Sequence, residues 1–449
     1  NIWFLGMAVF KILEKWLIKK EIKVTIEKWE IVFAVCMLLM LLSKSADIWP
    51  LYYLIIFEAL WHTPFEKEDR KNLLWGMIDG VILGFFLVQS FAYYNRPYDV
   101  ARYHGSYGDS NRNSCMYLVA MAGFLSRSYM LRVQQRDSQS KWTKFHIVMS
   151  WMFAAAMGSF IFFTGCRTAM FGVFVMVVVY VLLSEGRTFH MKRFRIFFRS
   201  VAYAAVMVAA VPVVYLTIRY IPAICDHPLY YGVGWTIDSV QPRSAIDDAR
   251  YISFEEAMQE LLGRLFLSPF TIHVHAAEKI EDSASDYIRV EYWLRKGEPD
   301  ESYGEYSIPR YFITNIPSVD IRIQIYYAYL HNMNLTGHRV QDGYYEIKPE
   351  NAAGFKAYNA QNVIIYLLFA YGIPTGILAC VLLVYVLLVT VKRFLKGRYD
   401  CLVYLLFFIA FWMMGTQEVV WIPGQIVLFM LFFVIHFLRD KETDYTTNV

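Results

Sequence analysis

Residues 144–184 read KFHIVMSWMFAAAMGSFIFFTGCRTAMFGVFVMVVVYVLLS, two apolar runs, 144–163 and 167–184, parted only by Thr164-Gly165-Cys166. A helix needs about 20 residues to cross a 30 Å hydrocarbon core. Each run is long enough to span, and the link between them permits only a tight turn at one membrane face. Working outward, eight more apolar stretches lie at 30–43, 47–62, 73–94, 114–131, 199–219, 361–391, 401–416 and 420–438. The first two are short and broken by Ser43-Lys44-Ser45 and by Pro50, so a re-entrant pair stays open there. The expected fold class is an all-α polytopic membrane protein. It has about ten transmembrane helices and one large extracytoplasmic loop between the seventh and eighth.

Composition points the same way. The chain is 57% hydrophobic and 18% charged, whereas a soluble domain carries about 45–50% apolar and about 25% charged residues. Of the cysteines, Cys36, Cys115, Cys166, Cys380 and Cys401 lie in or beside apolar runs and Cys225 does not. No CxxC pair or Cys/His set has zinc spacing, so neither a disulfide framework, a structural metal nor a cofactor is expected.

The 43 basic and 39 acidic residues nearly cancel, yet their signs segregate. Six Lys and Arg fall between Lys11 and Lys28, three between Lys67 and Lys71, and five from Arg127 to Lys144. Five more run from Arg187 to Arg199, four from Lys392 to Arg398, and two lie in the tail. Every second connection is basic, and cytoplasmic connections are the basic ones. Both ends are therefore expected inside, with 95–113, 164–167, 220–360 and 415–419 outside. The expected organisation is an interfacial or truncated segment at 1–29, a bundle at 30–219, an outer loop at 220–360, a second bundle at 361–438 and a cytoplasmic tail at 439–449.

The 220–360 segment holds 12 basic and 20 acidic residues, too acidic to attract nucleic acid. Tyr251 to Phe266 reads as an amphipathic helix with Phe254, Met258, Leu261 and Leu262 on one face; Ile321 to Leu335 reads as another.

Four clusters could carry chemistry. Gly105-Ser106-Tyr107-Gly108-Asp109-Ser110-Asn111-Arg112-Asn113 precedes a span, and such residues also serve as ordinary turn and cap formers. Thr164-Gly165-Cys166-Arg167-Thr168-Ala169 places Arg167 at a helix N-terminus, against the macrodipole; it calls for an anion or for snorkelling to headgroups. Arg322 leads the Ile321–Leu335 helix, which ends in Asn334-Leu335-Thr336-Gly337-His338. Ala360-Gln361-Asn362 stands ahead of Gly372-Ile373-Pro374-Thr375-Gly376, where Gly and Pro can kink a span.

In this order the clusters resemble the O-antigen ligase and polymerase superfamily of bacterial membrane glycosyltransferases. That pattern has a Gly-rich turn ending in Asn, a T-G-S-R-T-A segment, an Arg-led helix in a large outer loop, and A-H-N ahead of G-I-x-G. The match covers roughly residues 105–390. The resemblance implies a GT-C-like enzyme of the bacterial plasma membrane that needs no metal. Its donor would be a polyprenyl-diphosphate-linked oligosaccharide among membrane lipid, its acceptor a glycan, and its companions other polysaccharide assembly proteins. It implies that Arg167 and Arg322 bind the diphosphate, that Gln361 and His338 position the acceptor, and that Asn113, Arg112 and Asn362 contribute to binding. Arg250 is a rival for the loop arginine. Two positions depart from the pattern. Cys166 replaces Ser, with little expected effect on packing, and Gln361 replaces a His, so no general base can be carried over to it.

The favoured activity is the polymerase of a capsule, exopolysaccharide or O-antigen. A ligase acting on a lipid or protein acceptor, an inactive scaffold and a transporter or flippase stay open. The transporter reading draws on Glu58 and Asp79, acids within apolar spans, although an interhelical bond accounts for Asp79. Glu418 is a further candidate acid or base.

Overall fold

The computed structural model describes residues 28–62, 67–95, 98, 102–107, 109–134, 140–225, 252–263, 287–296, 302–309, 317–338, 343–349, 355–357, 359–416 and 418, with isolated positions at 6, 10, 13, 26, 428 and 431. Its helices are α1 (Lys28–Leu42), α2 (Trp49–His62), α3 (Lys67–Asn95), α4 (Ser110–Gln134), α5 (Lys141–Thr164), α6 (Arg167–Tyr180) and α7 (Arg193–Cys225). They continue with α8 (Phe254–Leu262), α9 (Pro317–His331), α10 (Val363–Ala370), α11 (Ile373–Leu395) and α12 (Cys401–Gly415). Among the described residues, five stretches are long and apolar enough to cross a membrane: Glu68–Asn95, Lys141–Thr164, Arg167–Thr188, Arg193–Cys225 and Ile373–Leu395. This is consistent with a helical membrane protein. The helices α1, α2 and α12 are apolar but only 14–15 residues long, and α4 carries Arg112, Arg127 and Arg132. The 420–438 stretch lies outside the described residues except for Leu428 and Leu431.

The chain divides into two compact units. One comprises Asn1–Phe65, Pro269–Val389 and Gly415–Lys441; the other comprises Glu66–Ser268, Thr390–Met414 and Glu442–Val449. In the second, α4 and α5 form the most extensive helix pair and α7 packs on α5 and α3. Aromatic rings fill the seam, with Tyr117 stacked on Phe160 at 4.9 Å and Phe124 on Phe153 at 5.2 Å. A buried polar atom must find a partner. Gln89 does so by donating to the Tyr103 hydroxyl at 3.1 Å and accepting from that of Tyr117 at 3.0 Å. Asp79 is ion-paired with Arg127 across α3 and α4, the interhelical bond expected of it.

After α6 the chain winds into a π-helical turn, Val181–Thr188. This turn carries fully buried Glu185, whose carboxylate accepts from Arg132, Arg199 and the Tyr203 hydroxyl. Tyr203 stacks flat on Trp151 at 3.6 Å.

In the first unit, α1 and α2 form a hairpin sealed by edge contacts of Trp61 with Trp29 and Phe33. Two features correct the sequence expectations. The 220–360 segment is not all helical: β1 (Tyr287–Lys296), β2 (Ser302–Pro309), β3 (Gly343–Pro349) and β4 (Phe355–Ala357) form an antiparallel sheet in the order β2-β1-β3-β4. Tyr292 pairs with Gly304 on one side and with Ile347 on the other. The span drawn through 361–391 is broken. Helix α10 stops at Ala370, Gly372 adopts φ 92°, and α11 restarts at Ile373.

Of the amphipathic helix expected over Tyr251–Phe266, Tyr251 and 264–266 lie outside the described residues, and the described part forms α8. In α8, Ala257 and Leu261 face inward, while Phe254 and Leu262 keep considerable exposure. Its start is a capping box in which the Ser253 hydroxyl accepts from the Glu256 N–H and the Glu256 carboxylate accepts from the Ser253 N–H.

Candidate functional site

The first two motifs meet at the C-terminal end of α5. A helix end leaves carbonyls without intrahelical donors. Here the Tyr103 N–H donates to the Phe163 carbonyl at 2.8 Å, and Arg102 Nε donates to that of Thr164 at 2.8 Å. A guanidinium at this end also matches the macrodipole. Arg102 reaches on to Asn111 Oδ1 at 3.1 Å, so one side chain fastens the 102–113 segment to the turn. Gly165 ends α5 in the left-handed region at φ 62°, its N–H donating to the Phe162 carbonyl.

Arg167 then occupies the first position of α6, exposed. Thr164 is buried, with its hydroxyl 2.7 Å from that of Ser114 and accepting from the Cys166 N–H at 3.3 Å. Cys166 is the N-cap of α6 and makes no side-chain cap bond. Asn113 is fully buried, and its amide donates to the carbonyls of His104 and Asp109. It therefore holds the turn and reaches a ligand only through the loop it shapes. Arg112 lies on the surface, 3.8 Å from Asp109. Asp109 Oδ1 accepts from the Asn111 N–H at 2.8 Å, the turn-forming role such residues ordinarily have.

The third and fourth motifs meet in the first unit. Arg322 lies in the second turn of α9, half-buried, and Tyr326 follows one turn later on the same face. Asn362 caps α10, its Oδ1 accepting from the N–H groups of Ile364 at 3.0 Å and Ile365 at 3.2 Å. The same side chain neighbours the Tyr326 hydroxyl. That hydroxyl also lies 3.4 Å from the carbonyls of Gln361 and Thr416. Burial pushes the Tyr326 phenol above its ordinary value, and the charge of Arg322 and the polar Asn362 side chain offset part of the rise. Gln361 is half-buried in the left-handed region at φ 46°, its N–H donating to Asn359 Oδ1 at 2.9 Å.

His338 has a different setting. Its ring stacks on Phe369 at 4.4 Å, and Nε2 meets the Asn332 carbonyl and, at 2.9 Å, the Asn334 amide. Its N–H donates to the Phe369 carbonyl at 3.0 Å, and its carbonyl accepts from Ser45. This histidine ties the end of the α9 segment to α10. Beside it, Gly337 and Gly372 touch backbone to backbone: a Cβ on Gly337 would stand 2.2 Å from the Ala370 carbonyl oxygen, and one on Gly372 2.3 Å from that of Leu335.

Among the expected site residues, Arg322, Gln361 and Asn362 are gathered around Tyr326. Arg167, Arg112 and Asn113 belong to the separate turn of the other unit, and Arg250 lies outside the described residues. Glu418 is half-buried just past Thr416. Two residues escaped sequence reasoning. Tyr326 lay within the expected Ile321–Leu335 helix without a role. Arg102 left a signal, a basic residue in a connection expected to be outer, where few are expected. No protein-family model, curated protein or solved structure matches the chain.

Proposed function

We propose that the chain is a bacterial membrane glycosyltransferase that polymerises a surface polysaccharide, moving a glycan from a polyprenyl-diphosphate donor to the end of a second lipid-linked repeat unit at the outer face of the plasma membrane. The observation that supports it best is the gathering of Arg322, Tyr326, Gln361 and Asn362, which joins two motifs about 40 residues apart in a chain rich in membrane-length helices.

Breaking the anomeric C–O bond builds negative charge on the departing diphosphate. A guanidinium meets that charge with paired, charge-assisted hydrogen bonds. Arg322 is assigned this contact, and Arg167, exposed at the start of α6, is assigned to the same anion class. Gln361 orients the acceptor hydroxyl through its amide and takes no proton. As the acceptor oxygen bonds to the anomeric carbon, its proton passes to the diphosphate, whose basicity rises as the old bond lengthens.

The test is to incubate the purified chain in detergent with a synthetic polyprenyl-diphosphate oligosaccharide and resolve the products by size. A ladder of lengthening lipid-linked glycans is expected. Arg322→Ala and Arg167→Ala should each slow it by about 100-fold or more. Wild-type ladders from both variants would overturn the assignment. Transfer only after a lipid or protein acceptor is added would make the chain a ligase, and gradient-coupled movement without bond cleavage would make it a transporter.

A further inference from the structure

A separate side-chain cluster lies where α1 begins and α2 ends. Glu58 and His62 are four residues apart on α2, so their side chains stand over one another on one face. Glu30, in the first turn of α1, comes to them from the neighbouring helix. His62 Nε2 lies 3.3 Å from Glu58 Oε2 and 3.5 Å from Glu30 Oε2. One ligand atom from each residue falls within 4.8 Å of the other two. Tetrahedral zinc with bonds of about 2.1 Å separates its ligands by about 3.4 Å. Two edges of the triangle already have that length.

Burial and chemistry argue in the same direction. Glu30 is 1% exposed and Glu58 29% exposed, and the negative end of the α2 macrodipole falls at His62. Two carboxylates and one imidazole are a donor set that a divalent cation bridges. A buried carboxylate needs compensation, and a divalent cation supplies more of it than a proton does. The aromatic seal of Trp29, Phe33 and Trp61 holds the two helices in register, so the ligands are positioned by packing. The expectation of no metal rested on Cys and His spacing along the chain. This set is assembled across two helices and leaves no such spacing.

We infer that Glu30, Glu58 and His62 form a binding site for a divalent transition metal, with zinc the best match to one imidazole and two carboxylates. The fourth position is left to solvent, and the metal ties α1 to α2. The inference is independent of the glycosyltransferase reading.

The full chain, purified in detergent and stripped with a chelator, is titrated with Zn²⁺ and, as a spectroscopic probe, with Co²⁺. One zinc per chain, tetrahedral cobalt absorption bands and a raised apparent melting temperature with zinc are expected. Glu58→Gln and His62→Gln should each weaken zinc binding by at least about tenfold, since loss of even an outer-shell partner costs about 10–100-fold. Absence of zinc binding in the wild type, or equal affinity in the wild type and both variants, overturns the inference. Should a variant fail to fold, cobalt bands of octahedral rather than tetrahedral type in the wild type would overturn it equally.

Discussion

Cys166 holds the N-cap of α6 without capping it. A hydroxyl in its place would accept from an N–H of the first turn, a bond worth about 1 kcal/mol. Cys166→Ser is therefore expected to raise stability by about that amount in detergent unfolding, and an unchanged midpoint would mean that the turn already satisfies those N–H groups. From sequence the cysteine read as a neutral replacement, because its capping duty exists only once the helix start is fixed. Gln361 presents the opposite trade. A left-handed conformation costs a residue with a side chain about 1–2 kcal/mol, so Gln361→Gly should stabilise the chain by about 1 kcal/mol while lowering turnover. Turnover equal to wild type would remove Gln361 from the proposed acceptor site. The α5 end shows the limit of reading residues one at a time. Arg167 announces itself by its short motif, whereas the role of Arg102 depends on a carbonyl 62 positions away.

Among the elements, the π-helical turn at Val181–Thr188 and its buried Glu185 form a structural knot. Removing one partner of a buried ion pair leaves the other uncompensated. Glu185→Gln should cost about 3 kcal/mol, at the low end of that effect because Arg199 is 40% exposed. A loss within experimental error would show that the arginines hold the turn without it. The capping box of α8 gives a pH dependence. Hydrogen bonds from the Ser253 hydroxyl and N–H hold the Glu256 carboxyl below its ordinary value. The helix start gains from this pair above the unfolded carboxyl value of about 4.3, and the gain is lost as pH falls through the lowered value. Protection factors of the first α8 amides, taken against the intrinsic exchange rate at each pH, should fall below about pH 4 in the wild type; Ser253→Ala should flatten that profile, and a retained profile would assign it elsewhere. The long helices were legible because runs of about 20 apolar residues have few alternative readings. The sheet was not read. Its strand Tyr287–Lys296 alternates Ile288, Val290, Tyr292 and Leu294 with Arg289, Glu291 and Arg295, a period-2 signal diluted in an acidic loop. The break at Gly372 was visible as a possible kink, but apolarity on both sides let the span run through it.

For the whole molecule, the alternation of basic connections predicts which surfaces face outward. Leu335 is 71% exposed beside the Gly337 turn, and Phe194 is 72% exposed within the basic 187–199 stretch. In intact cells a membrane-impermeant thiol reagent should label Leu335→Cys, and it should reach Phe194→Cys only after permeabilisation, each compared with the parent chain. The reverse pattern would invert the orientation, and with it the side on which the proposed lipid-linked donor is met. What the sequence made legible at this scale is the membrane-length helical framework. The two-unit division escaped it because each unit draws on segments separated by more than a hundred residues. The paired glycines at 337 and 372 carry an evolutionary consequence. Neither owns a side chain that a change in the other could accommodate, so each position is expected to stand unvaried among relatives instead of drifting in step with its neighbour. A search for correlated substitutions would overlook this backbone contact.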